Sequence, residues 1–452
     1  MDIALAPHVT AALAFNDDAL SISAAACDAG SSIGLRTAER TYTFAELARL
    51  AHGIRDRLPR RVVPGGPVPV IGANTVETAL TLYALLEARI PALLLHPRLT
   101  ASERKDILRA TAAAGPLDVL DAACVVHTSG TTGVPRAAVL TRAALAASAR
   151  ASEANIGWHA NDCWLLAMPL AHVGGLSILT RCLMARRAVA LSTFDVAGFP
   201  AELDALRVTL ASLVPTMLQL VLDAHPLWRA SPRLRAVLLG GAPARERLLE
   251  AAAQRNLPVL VTYGLTETCS QITTTPYALR YAPGAHGSGL PLPGIDVRVR
   301  DGNIEVRGPV LMHGYRNEPP LGSDAWFATG DLGGLDGDGS LHVHARRHDL
   351  IITGGENVYP VEVERALERC AGITAAAVFG IADATWGQVV AALLVGDSRV
   401  LQDGTLRHYL DGALAPHKRP RRIVFTARLP YTRAGKLDRE AVRAFAAQTT
   451  PL

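Results

Sequence analysis

The sequence predicts an α/β protein: a large N-terminal domain with mostly parallel sheets covered by helices and a small β-barrel-like part, then a small α+β C-terminal domain. Three observations predict it. Short apolar runs alternate with helical segments, alternating strands begin near Gly294, and the pattern resets after Arg346. The 452 residues, 49% of them hydrophobic, are enough to build two or three buried cores.

The parallel sheets are predicted from short apolar runs that are bounded by turn residues. Between several runs lie segments with helical spacing, such as residues 246–255. Strands that alternate with helices in this way form parallel sheets covered by helices. The apolar stretch 79–95 is interrupted by charged residues and a proline, so it predicts a buried helix leading into a strand, with no membrane span. The predicted strands are 68–72, 92–95, 163–168, 188–192, 211–214, 236–239 and 259–262.

The β-rich part and the final domain follow in order. The segment IDVRVRDGNIEVRG predicts two strands around an Asp-Gly-Asn turn, and a second hairpin turns at residues 336–339. Pro360 then opens the amphipathic helix VEVERALER, which begins the last unit. We place the domain boundary at His348, which divides the chain into residues 1–347 and 348–452.

Composition and charge exclude several classes of protein. The 45 basic and 41 acidic side chains leave a net charge of only +4, which argues against a nucleic-acid-binding protein. The N-terminus MDIALAPHV has no basic stretch followed by an apolar one, so we expect no signal peptide. The six cysteines have no metal-binding spacing and fit reduced thiols in a cytoplasmic protein. The sequence leaves the assembly open, with a homodimer as one outcome.

A glycine- and threonine-rich segment, VVHTSGTTGVPRAAVL, suits a phosphate-binding loop. Its glycines let the backbone approach an anion and turn N–H groups toward it, and its hydroxyls add donors. It is not a Walker A loop, because no Gly-Lys-Ser/Thr follows. The alternative is an ordinary surface loop. The candidate phosphate-binding residues are Thr128, Ser129, Gly130, Thr131, Thr132, Gly133 and Arg136.

The segment HTSGTTGVPRAAVLT resembles the signature loop of the adenylate-forming superfamily, which includes acyl- and aryl-CoA ligases, luciferases and peptide-synthetase adenylation domains. The resemblance extends from Tyr42 to Arg439. It implies a large adenylation domain, a mobile C-terminal domain that carries a catalytic lysine, and the use of ATP, Mg²⁺ and coenzyme A. The family usually has lysine and glycine where this chain has Arg136 and Ala137. Arginine keeps the charge but is larger and forked, so its phosphate contact differs in geometry.

The nucleotide site is predicted from segments that follow buried strands. In TYGLTETCSQ a carboxylate just past a strand end can hold Mg²⁺, although a helix cap with an acidic first turn would look similar. The resemblance makes Glu267 the Mg²⁺ ligand, places Thr266 at the phosphates and Tyr263 against the adenine. It also implies that Asp331 of ATGDL binds the ribose hydroxyls, that Arg346 reaches ribose or phosphate, and that Gly240, Gly241 and Ala242 line the adenine and acyl pockets.

The last hundred residues contain the predicted catalytic lysine, the hinge and the residues expected to face coenzyme A. In LPYTRAGKLDR the resemblance makes Lys436 the catalytic lysine, because a cation suits the charge that develops as pyrophosphate leaves. His348 stands at the family's hinge, where an acidic residue or a lysine is more usual. Gly354, Gly355 and Glu356 are expected to face the coenzyme A tunnel. Lys418, in the basic loop PHKRPRR, is expected to bind the phosphates of coenzyme A; the alternative is that this loop is only solvated.

The segment LLAMPLAHVGGLSILTR resembles the o-succinylbenzoate–CoA ligase branch of menaquinone biosynthesis, and it lacks the aspartate with which peptide-synthetase domains bind an amine. His172 would gate the acyl pocket or simply pack. Because that substrate has two carboxylates, we predict that Arg181 binds the one that is not activated. The alternative is a surface arginine. Gly264, Ser270 and Gln271 complete the predicted acyl site.

The predicted reaction is therefore ATP-dependent formation of an acyl-AMP from o-succinylbenzoate, followed by transfer of the acyl group to coenzyme A. The nearest alternative is a ligase for a benzoate or a fatty acid. More distant alternatives are a luciferase-like oxygenase and a non-catalytic nucleotide-binding homologue. The presence of Lys436, Glu267 and Asp331 argues against the last of these.

Overall fold

The computed structural model of the chain describes residues 19–55, 57–58, 61, 63–128, 136–282, 287–346, 349–353, 356–383, 385–402, 404–432 and 436–451. The side chains of residues 345, 346, 357, 401, 402 and 451 lie outside this description. It is a mixed α/β structure, with a large N-terminal domain and a small C-terminal one. The predicted fold class is confirmed.

The strands of the large domain lie close to their predicted positions. Two strands match their predicted bounds, 92–95 and 236–239, and the other five differ by one to three residues at their ends. The strands are β1 (Ile33–Arg36), β2 (Thr41–Thr43), β3 (Val68–Ile71), β4 (Ala92–Leu95), β5 (Ala122–Thr128), β6 (Arg136–Thr141), β7 (Cys163–Leu166), β8 (Ala188–Leu191), β9 (Leu210–Leu213), β10 (Ala236–Leu239), β11 (Val259–Leu265), β12 (Ser270–Thr274), β13 (Leu290–Pro291), β14 (Asp296–Arg300), β15 (Asn303–Arg307), β16 (Gly314–Tyr315), β17 (Phe327–Leu335) and β18 (Leu341–Arg346).

The helices of the large domain pack against two of its sheets. Several begin with a hydroxyl side chain that caps the first turn; Thr100 forms a complete capping box with Glu103. In the described part of the chain, no helix is both long and apolar enough to cross a membrane. The helices are α1 (Ile22–Ala29), α2 (Phe44–Arg55), α3 (Val76–Glu87), α4 (Ala101–Ala113), α5 (Arg142–Ile156), α6 (Val173–Ala185), α7 (Phe199–Ala205), α8 (Pro215–Ala224) and α9 (Glu246–Gln254).

Two sheets form the body of the large domain. The order of the larger is β13-β12-β11-β10-β9-β7-β8-β1-β2, and that of the smaller is β16-β6-β5-β4-β3; the central strands of the larger, from β11 to β1, are parallel, as are β3, β4 and β5 of the smaller. One continuous apolar core joins both sheets to α3, α5 and α6. At the seam, the Asn74 amide donates to the carbonyls of Leu166 and Ser192 at the ends of β7 and β8. The acyl site predicted around His172 begins at this seam.

The predicted hairpins form a separate antiparallel sheet in the order β14-β15-β17-β18. The Asp-Gly-Asn turn joins β14 to β15, and Asp301 and Gly302 both take the positive φ that such a turn requires. The second predicted hairpin joins β17 to β18, and its register sets Asp331 opposite Arg346. This sheet therefore brings the two predicted ribose-binding positions together.

The C-terminal domain has its own apolar cores, whose members run from Ile351 to Val442. Helix α10 starts at Pro360 as predicted, and β23 follows the basic loop. The predicted boundary, 347–348, lies outside the described residues and stays a prediction. The elements are β19 (Ile351–Thr353), β20 (Glu356–Val358), α10 (Pro360–Arg369), β21 (Ile373–Asp383), β22 (Gly387–Gly396), α11 (Arg399–Gln402), α12 (Thr405–Ala413), β23 (Arg422–Phe425), α13 (Arg439–Arg443) and β24 (Thr450–Pro451).

Candidate active site

The predicted metal-binding carboxylate lies in a tight turn between β11 and β12. Glu267 stands in the single 3₁₀ turn Thr266–Thr268 and is only 9% exposed. Its backbone carbonyl accepts a hydrogen bond from the Met312 N–H at 2.8 Å. Its side-chain Oε1 accepts one from the Tyr315 hydroxyl at 2.7 Å. Glu267 is therefore held once through its backbone and once through its carboxylate by the segment 312–315.

The predicted ribose site lies at the start of the β17–β18 ladder. Asp331 is 6% exposed, and its Oδ2 accepts a hydrogen bond from the Tyr263 hydroxyl at 2.7 Å. Tyr263 belongs to β11, so the residue predicted at the adenine and the one predicted at the ribose are in direct contact. The backbone of Arg346 lies opposite Asp331, while its side chain lies outside the described residues.

The predicted catalytic lysine approaches the end of β10. The Lys436 Cε lies 4.0 Å from the position that a Cβ would occupy at Gly241, whose φ is +81°. A Cβ at Gly240 would lie 2.9 Å from the Thr262 carbonyl oxygen, so only glycine fits there. The next residue, Ala242, is half-buried. The lysine of the small domain thus meets the glycines of the large one.

Three arginines hold the two domains in this orientation. Arg245 Nε lies 2.6 Å from the Glu368 carboxylate, which is almost fully buried. Arg369 pairs with Glu246 at 2.6 Å, and the Arg247 guanidinium donates to the Ile373 carbonyl. These contacts join the start of α9 to α10 and β21. They fix the distance between Lys436 and the end of β10.

His172 stands at the N-cap position of α6, beside a second histidine. Its ring centroid lies 5.0 Å from that of His96. In the described part of the chain its Nε2 is buried and has no hydrogen-bond partner. Burial, reinforced by the positive charge of His96 and Lys436, lowers the pKa of His172 from 6.5 to about 4. The imidazole is therefore neutral at pH 7.

Arg181 is buried at the third turn of α6. It is 2% exposed, its Nη2 lies 3.5 Å from the Ser148 hydroxyl, and its Cζ lies 5.6 Å from the centre of the Trp164 ring. Burial lowers the pKa of Arg181 to about 10, so it is still a cation at pH 7. Among the described residues no carboxylate lies within ion-pair distance of it. The surface-arginine alternative is therefore wrong.

The turn after Glu267 forms a wall beside α6. The Ser148 hydroxyl donates to the Cys269 carbonyl at 2.8 Å, and the Ser177 hydroxyl lies 3.4 Å from that of Ser270. A Cβ at Gly264 would lie 1.8 Å from the Ser270 carbonyl oxygen, so a side chain there would displace this wall. The Gln271 amide nitrogen is used internally, at 2.9 Å from the Thr274 hydroxyl, and its Oε1 is buried with no partner among the described residues.

The predicted phosphate and coenzyme A residues are only partly described. Thr128 ends β5, and its hydroxyl lies 3.4 Å from the Arg136 carbonyl oxygen. Glu356 is exposed at the start of β20, and Lys418 Nζ lies 2.6 Å from the Glu362 carboxylate. The roles of all these residues stay predictions. The predicted residues that lie outside the described part are Ser129, Gly130, Thr131, Thr132, Gly133, His348, Gly354 and Gly355.

Arg136, which was predicted to bind the phosphates, contacts the Glu318 carboxylate and the Tyr315 ring. Its Nη2 lies 2.7 and 2.5 Å from the two carboxylate oxygens of Glu318, and its Cζ lies 3.4 Å above the centre of the Tyr315 ring. Sequence reasoning missed Tyr315 and Glu318, as well as His96 and Ser148. The short strand around Tyr315 offered no strong pattern, and Glu318 is 182 residues from its partner.

A magnesium ion that arrives with ATP needs few protein ligands, because the phosphate oxygens and waters supply the rest. In the described residues there is no group of three histidine, cysteine or acidic side chains that could form a complete metal cage. Glu267 fits the smaller demand: it is a single carboxylate, oriented by Tyr315, at the end of a buried strand.

The sequence matches two family models in order. Residues 112–316 match the AMP-binding enzyme family, and residues 362–436 match the AMP-binding enzyme C-terminal domain. The chain belongs to the AMP-binding enzyme family. The matched regions contain Glu267 and Lys436 respectively, so the two halves of the candidate site come from the two parts of the family's architecture.

Curated relatives share most of the chain. A 2-succinylbenzoate–CoA ligase of Bacillus cereus is 34% identical in an alignment that covers 90% of this chain and 94% of the relative. One from Enterococcus faecalis is 38% identical over 344 residues, 71% of this chain and 69% of the relative. These relatives confirm the predicted enzyme class, an acid–CoA ligase.

Solved structures agree with the sequence relatives. The o-succinylbenzoate CoA synthetase of Bacillus subtilis in complex with its acyl-adenylate intermediate superposes with a TM-score of 0.79 at 31% identity, over 93% of this chain and 97% of that one. The same enzyme in complex with ATP and a magnesium ion gives a TM-score of 0.78 at 30% identity, over 93% and 98% of the two chains. The predicted resemblance is confirmed over almost the whole fold.

Proposed function

We propose that the protein is a 2-succinylbenzoate–CoA ligase, which activates the acid as its acyl-AMP and transfers the acyl group to coenzyme A. The observation that carries the choice of acid is the buried, charged Arg181, which has no carboxylate partner among the described residues. A buried cation without a counter-ion is costly, and a substrate with a second carboxylate supplies one.

In the first half-reaction, a carboxylate oxygen of the acid attacks the α-phosphorus of ATP. The new O–P bond replaces the bond to pyrophosphate, which leaves. Asp331 and Tyr263 position the nucleoside, and Lys436 near Gly241 stabilises the negative charge that develops on the phosphates. Glu267 would hold the magnesium ion, whose positive charge would offset the negative charge of the phosphate oxygens.

In the second half-reaction, the thiolate of coenzyme A attacks the acyl carbon, forms a C–S bond and releases AMP. Lys436 occupies the side of the pocket at β10 while the α9–α10 contacts hold. We propose that these contacts open, that the small domain turns about His348, and that Gly354, Gly355 and Glu356 then face the pocket. Lys418 would meet the coenzyme A phosphates after leaving Glu362.

His172 contributes to the acyl pocket as a neutral donor. Its lowered pKa keeps the ring uncharged, and its Nε2 has no protein partner in the described part of the chain. A neutral imidazole can donate a hydrogen bond to a carboxylate or carbonyl oxygen of the acid, and it does not repel the positive charge of Lys436. Gly264 and Ser270 shape the opposite wall.

The decisive experiment measures pyrophosphate release with 2-succinylbenzoate, benzoate, a medium-chain fatty acid and malonate, each with and without coenzyme A. We expect release with 2-succinylbenzoate and formation of its thioester only when coenzyme A is present. Faster turnover of a monocarboxylic acid would reject 2-succinylbenzoate as the substrate. If no acid led to pyrophosphate release, the proposed ligase activity itself would be rejected. The proposed location is the cytoplasm, and a homodimer stays a prediction.

A further inference from the structure

A tyrosine outside the predicted site contacts the proposed metal ligand directly. The Tyr315 hydroxyl donates to Glu267 Oε1 at 2.7 Å. A tyrosine phenol carries its proton at neutral pH. The hydroxyl can therefore act only as a donor toward this oxygen.

The backbone of Tyr315 is fixed at a sheet edge. It pairs with Ala138 of β6 in antiparallel register, and the N–H of the next residue, Arg316, donates to the Ala137 carbonyl at 2.8 Å. β6 is the strand that follows the predicted phosphate loop. Tyr315 thus connects the strand leaving the phosphate loop to the turn that holds Glu267.

The ring of Tyr315 is held by an ion pair. The Arg136 guanidinium lies 3.4 Å above the ring centre, close enough for a cation–π contact. Glu318, three residues beyond Tyr315, grips the same guanidinium through both carboxylate oxygens. The fork of arginine can stack on the ring and bind a carboxylate at the same time, which the point charge of lysine does not do.

We propose that Tyr315 is a positioning residue for the metal-binding carboxylate and that the Arg136–Glu318 pair holds its ring in place; this rests on the proposed role of Glu267. With Oε1 occupied by the phenol, Oε2 is directed to the metal as a single ligand. Magnesium demands near-octahedral geometry, so the direction of one oxygen matters. The arginine that replaces the usual lysine of this family therefore serves the metal through Tyr315.

The test measures metal binding without turnover. Mn²⁺ is titrated by electron paramagnetic resonance into the whole enzyme with the non-hydrolysable α,β-methylene analogue of ATP. Tyr315→Phe should weaken Mn²⁺ binding by about tenfold, the usual effect of removing a partner of a metal ligand. Tyr281→Phe is the matched control, because Arg280 stacks on its ring at 4.8 Å and the ring is far more exposed. Its Mn²⁺ affinity should not change.

Variants of the Arg136–Glu318 ion pair distinguish a role in positioning Tyr315 from a role in folding. Arg136→Lys and Glu318→Gln leave the phenol in place and should weaken Mn²⁺ binding by a few-fold, less than Tyr315→Phe. Unchanged affinity in a folded Tyr315→Phe enzyme would overturn the proposal. If that variant does not fold, equal affinity of wild type and both ion-pair variants would overturn it instead. Full Mn²⁺ binding by Glu267→Gln would reject the metal site itself, whatever the acid.

Discussion

Replacing Arg181 by methionine tests the dicarboxylate proposal through two opposite effects. Methionine is shorter than arginine but flexible and uncharged, so it can fill most of the space between Ser148 and Trp164. Burial lowers the pKa of Arg181 from 12.5 to about 10, which corresponds to a cost of about 3 kcal/mol for keeping the charge inside the free protein. Arg181→Met should therefore increase the free energy of unfolding of the ligand-free enzyme by about 1–3 kcal/mol.

Activity should change in the opposite direction. Without the guanidinium, the second carboxylate of 2-succinylbenzoate would be buried without a partner, which costs about 2–4 kcal/mol. The kcat/KM for that acid should fall by about 30- to 1000-fold. For an analogue that lacks the second carboxylate, wild type and variant should differ by less than about threefold, since the analogue has no group for Arg181 to bind.

Pyrophosphate release gives kcat/KM, and urea unfolding at pH 7 without ligands gives stability. Arg150→Met is the matched control, because Arg150 lies exposed on α5 and should affect neither quantity. An Arg181→Met enzyme that is less stable and equally active on 2-succinylbenzoate would refute the reasoning. Arg181 would then be a packing residue, and the acid would be recognised elsewhere.

Three further predictions concern the proposed catalytic lysine, the contact between the domains and the buried histidine. Lys436→Met should slow acyl-AMP formation by about 100- to 1000-fold but leave thioester formation from pre-formed acyl-AMP within about threefold of wild type, as measured by quenched-flow assay of each half-reaction. Arg245→Met should slow only acyl-AMP formation, by about tenfold, because it breaks the 2.6 Å contact with Glu368 that holds the lysine in place; equal slowing of both halves would contradict this. The lowered pKa of His172 means that the unfolded chain binds a proton below pH 6.5 that the folded chain refuses until about pH 4. Stability should thus fall by about 2 kcal/mol from pH 7 to 5 in urea unfolding, and His172→Asn should reduce that fall.

The fold was predictable where periodicity was strong. Residues 92–95 and 236–239 were placed correctly because each is an apolar run of only four residues between turn residues, a length that suits a buried strand and is too short for a helix. The extension of β11 to Leu265 was not predicted, because its last residues pair with β12 across a sharp turn. That pairing comes from tertiary contacts, which local pattern does not encode.

The candidate site was predictable only where one segment carries the signal. Glu267 and Asp331 follow strands in short distinctive segments, and the structure brings each into contact with a tyrosine. Arg136 and Glu318 are 182 positions apart in the chain, and nothing in the sequence around either residue predicts their contact. The burial of Arg181 agrees with its predicted role, although the two arginines that follow its helix also allowed an exposed position.

The turn between β11 and β12, with the residues on either side of it, gives the short segment 264–270 two roles. Glu267 is proposed to bind on the nucleotide side and Ser270 on the acyl side. The backbone between them is confined by positive φ at Cys269 and Ser270 and by close packing on Gly264. A substitution here that suits a new acid would also move the metal ligand. New acid preferences are therefore expected to arise on α6, where a side chain can change without disturbing the nucleotide. Substitutions that change the acid would therefore accumulate on the α6 wall of the pocket, while the wall formed by the β11–β12 turn would stay unchanged.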